Sequence, residues 1–349
     1  MRILHVVGAR PNLPKLAPVF HCARAHGIAQ VVVNTGQHYD DALFGSLLRA
    51  FELPEPDVAL DVGSHSHAVQ TARVMERLEP VMLRERPDWV VVYGDVNSTL
   101  AAALVAAKLC FPVAHVEAGV RSHDRRMPEE VNRIVTDRLS DLLFAPSRSA
   151  VEQLAAEGVP ARQVVFVGNV MVDTALNSGV VPAIGERTGP VLVTLHRPSN
   201  VDDADRLAAI LRALDDVAAT RAVRFPVHPR TRERMFAAGL SAGRVELVDP
   251  LPYHDMLRAL ANAPVVITDS GGVQIEAAAM GAPCVTLRDT TEWPETIETG
   301  GNRLVPDPGA LRSAVASAMS SPAARRPDGW DGHASDRIID ALLAAIPSR

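Results

Sequence analysis

The sequence predicts an α/β protein built from two doubly wound, parallel-sheet domains, and three observations support this fold class. The chain has 349 residues, a length that corresponds to roughly two domains of ordinary size. Apolar residues make up 47% of it and aromatic residues only 4%, a composition that favours aliphatic sheets under helices rich in Ala and Leu. Short apolar runs alternate with helix-length segments, which is typical of parallel sheets.

The strands are predicted from apolar runs of four to six residues, each followed by a segment with helical periodicity. In the first half of the chain these runs cover residues 3–7, 30–34, 89–93, 113–116, 142–145 and 164–167. In the second half they cover residues 191–195, 222–227, 245–248, 265–268 and 284–287.

Gly and Pro residues between positions 168 and 190 indicate the domain junction. We therefore expect an N-terminal domain over residues 1–168 and a C-terminal domain over residues 169–332. An amphipathic helix predicted over residues 334–346 follows a linker-like segment, so residues 333–349 are expected to cross back onto the first domain. Ligands of doubly wound domains bind beyond the carboxyl ends of the strands, and two facing domains would form one deep cleft.

The charge of the chain disfavours several partners. The 35 Lys and Arg residues against 41 Asp and Glu residues give a formal net charge of −6. A net acidic chain without a basic run is a poor binder of nucleic acids or membrane surfaces. A few cations focused in one cleft could still bind an anion.

Motifs that are absent narrow the chemistry further. No GxGxxG follows the first predicted strand, where residues 8–12 read GARPN instead, so a dinucleotide cofactor is not expected. Walker A, GxSxG, HExxH and paired CxxC patterns are also absent, which disfavours kinase-like, hydrolase-triad and zinc chemistry.

Cysteine usage and the N-terminus indicate the compartment. Cys22, Cys110 and Cys284 are far apart and in no metal-ligand spacing, so we expect reduced, mostly buried thiols. Neither a signal peptide nor an apolar stretch of about 18 residues is recognisable. The sequence therefore predicts a cytoplasmic protein.

One short motif of the second half predicts an anion site. Ser270, Gly271 and Gly272 directly follow an apolar strand and open a predicted helix, so that free N–H groups and the positive end of the helix dipole face the ligand. A diphosphate would fit there, and Glu276 could reach ribose hydroxyls. The alternative is an ordinary N-cap with a tight turn.

Cations and carboxylates recur after the predicted strands of the first half. Clustered carboxylates are costly unless cations or protons compensate them, so such a cluster indicates acid–base chemistry. Each residue also has a simpler interpretation, as a helix cap, a first-turn acid or a surface residue. The candidates are Arg10, Lys15, Asp95, Glu117, Glu129 and Arg133.

Two histidines follow strands of the second half in analogous places. His196 comes at the end of the first predicted strand of that domain, and His228 follows the next. A lone histidine is more often structural, but the position of His196 faces the expected cleft. We therefore take His196 as the first candidate and His228 as the second.

Taken together, these motifs resemble the non-hydrolysing UDP-N-acetylglucosamine 2-epimerases. They occur in family order from residue 3 to about residue 305. The matching segments are 8–12 (GARPN) with Lys15, 34–40 (NTGQHYD), 94–95 (GD), 115–122 (HVEAGVRS), 128–133 (PEEVNR), 194–197 (TLHR), 269–274 (DSGGVQ) and 288–295 (RDTTEWPE).

The resemblance implies a glycosyltransferase-B-like fold, in which two Rossmann-like domains hold a UDP-sugar between them, usually as a homodimer. It implies that UDP is eliminated to give a 2-acetamidoglucal and is then added back, with the proton delivered to the opposite face of C2. Neither NAD nor a metal is required.

The resemblance also assigns roles to the candidate residues. Asp95, Glu117 and Glu129 would be the catalytic carboxylates, although their individual roles stay open. His196 would contact the diphosphate and could donate a proton to it. The remaining residues would support charge or hold the diphosphate and ribose: Arg10, Lys15, Arg133, Ser270, Gly271, Gly272 and Glu276.

Some positions depart from the family pattern. Many bacterial members have Glu in place of Asn12 and an Arg-Glu-Asn run where this chain has residues 198–200 (PSN), and Tyr39-Asp40 is also unusual. These positions neighbour a second, activating UDP-sugar site in the bacterial relatives. We therefore predict that activation by substrate is weak or absent.

Three other functions stay open on the sequence alone. The protein could hydrolyse the nucleotide sugar to N-acetylmannosamine and UDP, transfer the sugar to an acceptor, or bind it without catalysis. A variant 2-acetamido sugar is a further alternative for the substrate.

Overall fold

The computed structural model describes residues 1–36, 41–183, 185–321 and 325–345. The chain divides into two compact units. Unit 1 comprises Met1–Thr174 and Asp328–Arg349, and unit 2 comprises Ala175–Pro327. Each unit is built on a parallel sheet, so the predicted class of two doubly wound α/β domains is confirmed.

The sheet of unit 1 has a reversal of strand order near its middle. Its strands are β1 (Arg2–Val7), β2 (Ala29–Asn34), β3 (Val58–Ala59), β4 (Trp89–Tyr93), β5 (Val113–Val116), β6 (Leu142–Ala145) and β7 (Val164–Phe166). They lie in the order β3-β2-β1-β4-β5-β6-β7. Because the order reverses between β1 and β4, the loops that follow these two strands diverge and leave a crevice at the carboxyl edge.

The sheet of unit 2 repeats this arrangement. Its strands are β8 (Val191–Thr194), β9 (Val223–Pro226), β10 (Glu246–Val248), β11 (Val266–Thr268), β12 (Cys284–Thr286) and β13 (Asn302–Leu304). They lie in the order β10-β9-β8-β11-β12-β13, the strand order of a Rossmann domain. The reversal falls between β8 and β11, the strands that precede His196 and Ser270.

The helices connect consecutive strands, as parallel pairing requires. In unit 1 they are α1 (Leu13–Ala25), α2 (Asp41–Ala50), α3 (His67–Glu85), α4 (Asn97–Lys108), α5 (Pro128–Leu139) and α6 (Arg148–Ala156), and α7 (Val170–Leu176) runs across the division. In unit 2 they are α8 (Pro198–Val201), α9 (Ala204–Ala218), α10 (Pro229–Ala237), α11 (Tyr253–Asn262), α12 (Gly271–Ala279), α13 (Pro294–Glu298) and α14 (Leu311–Ser320). The last helix is α15 (Ala334–Ala344).

Aliphatic packing around β4 holds the middle of unit 1 rigid. Every side chain of β4 is buried, and the fully buried alanines 101–103 of α4 belong to the same apolar cluster as β4 and α3. Small side chains allow α4 to lie close to the sheet. The turn after β4, which carries Asp95, therefore starts from a well-packed strand.

The C-terminal helix α15 belongs to unit 1. The Asp173 carboxylate accepts the N–H groups of Ala334 and Ser335 at 3.1 and 2.7 Å, and Trp330 Nε1 donates to the carbonyl of Pro146 at 3.0 Å. The units consequently divide after Thr174 and Pro327 rather than after residues 168 and 332, because the start of α7 and the segment before α15 are bonded to unit 1.

Two strands and the burial of the cysteines differ from expectation. Strands β3 and β13 are short edge strands whose sequences, VA and NRL, contain no apolar run long enough to be recognised. All three cysteines are free thiols, but only Cys284 is buried, since Cys22 is half-buried and Cys110 is exposed. Among the helices of the described ranges, none has both the length and the apolar character needed to cross a membrane.

Candidate functional site

The candidate residues of unit 1 gather around the reversal of strand order. Turns after β1, β4 and β5, the first turn of α1 and the first two turns of α5 carry them, so all come from the carboxyl edge of the sheet. The turn after β1 carries Arg10, α1 carries Lys15, the turns after β4 and β5 carry Asp95 and Glu117, and α5 carries Glu129 and Arg133.

Lys15 and Glu117 form a buried ion pair. Lys15 Nζ lies 2.6 Å from Glu117 Oε1, and the two side chains are about nine-tenths buried. Glu117 has a φ of 76°, a left-handed conformation that costs a non-glycine residue on the order of 1 kcal/mol or more. Such strain at a carboxylate held by a cation is typical of a functional site.

Arg133 is the second buried cation of this cluster. Its Nη2 contacts Asp95 Oδ2, and its Nη1 donates to Glu130 Oε2 at 3.1 Å. Glu130 also accepts the N–H of Ser122 at 2.8 Å and that of His123 at 2.9 Å. Glu130 thus orients Arg133 and fixes the loop before α5, a role that its place in the motif did not reveal.

The two ion pairs lie on adjacent turns. A Cβ atom added at Gly94 would lie 2.7 Å from Lys15 Nζ and 3.6 Å from Glu117 Oε1. Gly94 has a φ of +64°, so the turn that carries Asp95 needs glycine for both its conformation and this close approach. The structure therefore brings Asp95, Glu117 and their cations together.

Glu129 and Arg10 differ from these paired groups. Glu129 lies half-buried in the first turn of α5, one residue before Glu130. Within the described ranges of the chain, neither Glu129 nor Arg10 has an ion-pair partner. Both side chains are consequently available to a ligand.

In unit 2, Asp269 organises the loop that carries His196. Its fully buried carboxylate accepts the N–H of His196 at 3.1 Å and that of Arg197 at 3.0 Å, and His196 Nδ1 lies 3.3 Å from Asp269 Oδ1. Burial by itself would raise the pKa of Asp269, but the His196 side chain and these hydrogen bonds hold the pKa below its ordinary value. The His196 side chain stays 43% exposed and can reach a ligand.

Helix α12 begins directly after β11 at the Ser270-Gly271-Gly272 segment, where the sequence predicts a helix start. Ser270 is its N-cap, and the Ser270 hydroxyl oxygen accepts the N–H of Val273. The N–H groups of Gly271 and Gly272 have no acceptor within the helix, because the first turn of any helix leaves its donors free. A Cβ added at Gly271 would lie 3.3 Å from Trp293 Nε1, so the first turn packs closely against the 288–295 segment.

A second charged cluster of unit 2 was not singled out in the sequence. Arg288 binds Glu292 through two bonds of 2.6 and 2.8 Å, and Arg197 Nη2 lies 3.5 Å from the same carboxylate. Burial alone would raise the pKa of Glu292, but Arg288 and Arg197 lower it to about 2. Two guanidinium groups, one of them on the residue after His196, thus converge on one carboxylate.

Glu276 is more enclosed than a ribose contact requires. Only 8% of the residue is exposed, and burial raises the pKa of its carboxyl to about 7 although the Tyr253 hydroxyl beside it acts in the opposite direction.

The second histidine candidate of the sequence, His228, begins a helix of unit 2. His228 caps α10 by accepting the N–H of Arg230 at 3.2 Å, and its ring centre lies 5.8 Å from that of His196.

The departures from the family pattern have structural roles here. Asn12 accepts the N–H groups of Gly8 and Ala9 and donates to the carbonyl of Tyr93 at 2.9 Å, a bond that an ionised Glu could not donate. Asn200 is buried and donates to Asp269 and to the carbonyl of Leu287. Residues 37–40 of the NTGQHYD motif, with the departures Tyr39 and Asp40, lie outside the described residues.

Replacing the buried acid Glu276 should stabilise the protein in a pH-dependent way. A carboxyl whose pKa is raised from 4.5 to about 7 on folding stabilises the folded state fully below pH 4.5 and loses this contribution as pH rises through 7. Glu276→Gln should therefore raise the free energy of unfolding by about 2 kcal/mol more at pH 8 than at pH 5. Urea unfolding at both pH values measures the difference.

The exposed Glu233 of α10 provides the matched control, because Glu233→Gln removes the same charge without burial. This variant should shift both unfolding curves by similar amounts. An equal shift of the Glu276→Gln curves at the two pH values would contradict the raised pKa of Glu276.

The fold and the motifs of this chain both have close counterparts among known proteins. A family model described as UDP-N-acetylglucosamine 2-epimerase matches residues 21–343. The chain is 41% identical to a UDP-2,3-diacetamido-2,3-dideoxy-D-glucuronate 2-epimerase of Pseudomonas aeruginosa, over 98% of this chain and 99% of the relative. It is 39% identical to a UDP-N-acetylglucosamine 2-epimerase of Methanocaldococcus jannaschii, over 88% and 89%.

A solved structure resembles the whole chain. The crystal structure of the Methanocaldococcus jannaschii UDP-GlcNAc 2-epimerase in complex with UDP-GlcNAc and UDP superposes with a TM-score of 0.88 at 37% identity, covering 99% of this chain and 100% of that one. The glycosyltransferase-B-like class predicted from the motifs is thereby confirmed. With the family match extending over most of its length, the chain belongs to the UDP-N-acetylglucosamine 2-epimerase family.

Proposed function

We propose that this protein interconverts UDP-N-acetylglucosamine and UDP-N-acetylmannosamine by inverting C2 of the sugar. The observation that carries the proposal is the cluster in unit 1, where Asp95 and Glu117 lie on adjacent turns and are each held by a buried cation. Glu129 adds a third carboxylate from α5. Inversion needs proton-transfer groups for both faces of C2, and this cluster supplies more than one.

The chemistry follows from the substrate. No carbonyl group acidifies the hydrogen at C2, so its direct removal is unfavourable. In an elimination, a carboxylate takes the C2 proton while the C1–O bond breaks, the electron pair leaves with UDP, and a C1=C2 double bond forms. In the return step a carboxylic acid delivers a proton to the opposite face of C2 as an oxygen of UDP attacks C1.

The cations of unit 1 support the proton transfer. An ion pair fixes where a carboxylate lies, which a transfer between two defined atoms requires. Lys15 would hold Glu117 in place and Arg133 would hold Asp95, while Arg10 would add positive charge for the departing UDP. Glu129, which has no ion-pair partner among the described residues, would supply a third carboxylate.

Unit 2 supplies the groups that suit the departing diphosphate. The free N–H groups of Gly271 and Gly272 and the Ser270 hydroxyl would bind its oxygens, with Glu276 on the ribose. His196, oriented by Asp269, would stabilise the leaving group and could donate a proton to it. Preoriented donors of this kind commonly contribute a large part of the catalysis of such a step.

A second substrate has a specific observation in its favour. The Pseudomonas aeruginosa relative, at 41% identity over nearly the whole of both chains, is named for a UDP-2,3-diacetamido uronate. The same elimination at C2 applies to that sugar. Hydrolysis, transfer to an acceptor and silent binding are the other outcomes, and the retention of all three carboxylates and of His196 favours epimerisation over them.

The test is proton NMR of the protein with UDP-N-acetylglucosamine in deuterated water, and in parallel with UDP-2,3-diacetamido-2,3-dideoxy-D-glucuronate. Epimerisation should produce the manno epimer with deuterium at C2, because the proton is exchanged with solvent during transfer. Asp95→Asn, Glu117→Gln and Glu129→Gln should each lower kcat by about 100-fold or more, the usual scale of a lost acid or base.

Glu152→Gln on the exposed face of α6 is the matched control and should keep the wild-type kcat. Free sugar and UDP as the products would indicate hydrolysis instead. Unchanged spectra with both substrates would indicate a silent binder, and near-normal rates in all three carboxylate variants would refute the assigned cluster.

Activation by substrate is predicted to be weak or absent. Asn12 and Asn200 are engaged in internal hydrogen bonds, and Pro198 opens α8, so these positions are committed to the structure of the chain. Initial rates should depend hyperbolically on UDP-N-acetylglucosamine. UDP-N-acetylmannosamine should turn over without added UDP-N-acetylglucosamine, and sigmoidal curves would contradict the prediction.

A homodimer is proposed from the family resemblance and from an apolar groove of unit 1. The groove lies between the starts of α3, α4 and α5, has a volume of about 490 Å³ and is lined mainly by apolar atoms. Val131 of α5 lines the groove and is 44% exposed, and Val69 in the first turn of α3 is 42% exposed, more than large apolar side chains usually are.

The cytoplasmic location stays a prediction from the sequence.

Light scattering coupled to size exclusion should give a mass of twice 37.4 kDa. Val131→Glu should reduce it toward that of the monomer, because a buried unpaired carboxylate is costly in an interface. Leu83→Glu, at an exposed position near the other end of α3, controls for surface charge. A monomeric wild-type protein at micromolar concentration would contradict the proposal.

A further inference from the structure

A buried carboxylate of α5 lies behind the cluster in unit 1 and belongs to none of the roles assigned so far. Asp137 is only 3% exposed. Its Oδ1 lies 2.6 Å from His115 Nδ1, and its Oδ2 accepts hydrogen bonds from Arg121 Nη2 at 2.7 Å and from the N–H of Gly119 at 3.0 Å. One side chain thus bonds to three residues of the segment that begins in β5.

His115 is placed so that both of its ring nitrogens face acceptors. Nδ1 faces the Asp137 carboxylate, and Nε2 lies 2.8 Å from the carbonyl oxygen of Gly94. The ring is fully buried, and a buried polar atom that lacks its hydrogen bond is costly. Each ring nitrogen therefore has an oxygen partner, one on α5 and one in the turn after β4, so the ring joins these two elements.

The partners of Asp137 stabilise its carboxylate form. Burial alone would raise the pKa of Asp137, but its contacts with His115 and Arg121 hold it below its ordinary value. Arg121 in turn binds Glu157 through two bonds of 2.8 Å. The Arg121 guanidinium therefore lies between two carboxylates.

The atoms that this network holds are those that place Asp95 and Glu117. The Gly94 carbonyl, bound by His115, belongs to the residue before Asp95. The Gly119 N–H, bound by Asp137, lies two residues after Glu117, in a turn with φ of 76° at Glu117 and +80° at Gly119. A strained turn of this kind persists only where surrounding bonds over-determine it.

We propose that Asp137 is a positioning residue of the reaction, acting through His115 and the Gly119 N–H to set the turns that carry Asp95 and Glu117. The inference rests on the proposed function for its kinetic consequence but not for its chemistry. Asp137 contacts neither of the two carboxylates directly. Its effect is therefore on where they are held, and not on the binding of UDP by unit 2.

The kinetic test is Asp137→Asn, which keeps the shape of the side chain but cannot accept bonds on both sides. We expect kcat to fall about 100-fold, the scale of a small misplacement of catalytic groups, while KM changes by less than about threefold. Asp173→Asn is the matched control. Asp173 is an equally buried carboxylate of unit 1 with three hydrogen bonds, to the start of α15, so its variant should lose stability but keep kcat.

The second readout does not depend on activity. In protein with ¹⁵N-labelled histidine, the ring-nitrogen signals of His115, assigned by comparison with His115→Gln, should shift in Asp137→Asn, because Nδ1 then faces an amide in place of a carboxylate. In Asp173→Asn these signals should keep their wild-type positions. This measurement applies even where the wild-type protein epimerises neither substrate, which would refute the proposed function alone.

Two results would overturn the inference. One is a set of His115 ring signals that is the same in the wild-type protein and in Asp137→Asn. The other is a kcat in Asp137→Asn equal to that of Asp173→Asn at matched stability. If Asp137→Asn does not fold, His115→Gln takes its place in the kinetic comparison, since Gln lacks the ring that joins Asp137 to the Gly94 carbonyl, and a wild-type kcat in that variant would equally refute the proposal.

Discussion

The structure of unit 1 depends on charge compensation within a buried network at the carboxyl edge of its sheet. Asp137 on α5 accepts bonds from His115, Gly119 and Arg121, and His115 extends the network to the turn after β4. Each of these bonds joins elements that are distant along the chain. Since the turns they join are those of Asp95 and Glu117, removing the central carboxylate would leave these buried donors without their acceptor and the turns without support.

The same principle explains how one small region holds so many acids. Glu117 is compensated by Lys15, and Arg133 compensates both Asp95 and Glu130. In unit 2, the Arg288–Glu292 pair follows the same rule. Glu276 is the exception, because its carboxyl is buried and has no cation beside it among the described residues. A pKa raised to about 7 is the physical consequence, and it marks Glu276 as a residue retained at a cost in stability.

Sequence reasoning recovered the candidates that stand in the turns after strands or at helix starts. Asp95, Glu117 and Ser270 each follow an apolar run, and a parallel sheet brings such positions to one edge. It did not recover Asp137 or Glu130, because each of them is one of several polar residues on the amphipathic helix α5. It also passed over the Arg197–Glu292 contact, which joins residues 95 positions apart, and the edge strands β3 and β13, which are too short to form an apolar run.

The sequence by itself determined the fold class, the strands of both sheet centres and the set of chemically active residue types, because these depend on local periodicity and on motif spacing. Only the tertiary structure decided which charges pair, which carboxylates are buried and where the chain divides. Those properties arise from contacts between α5 and β5, or between α7 and α15, that no local pattern encodes. The raised pKa of Glu276 belongs to this second group, since burial sets it and residue type does not.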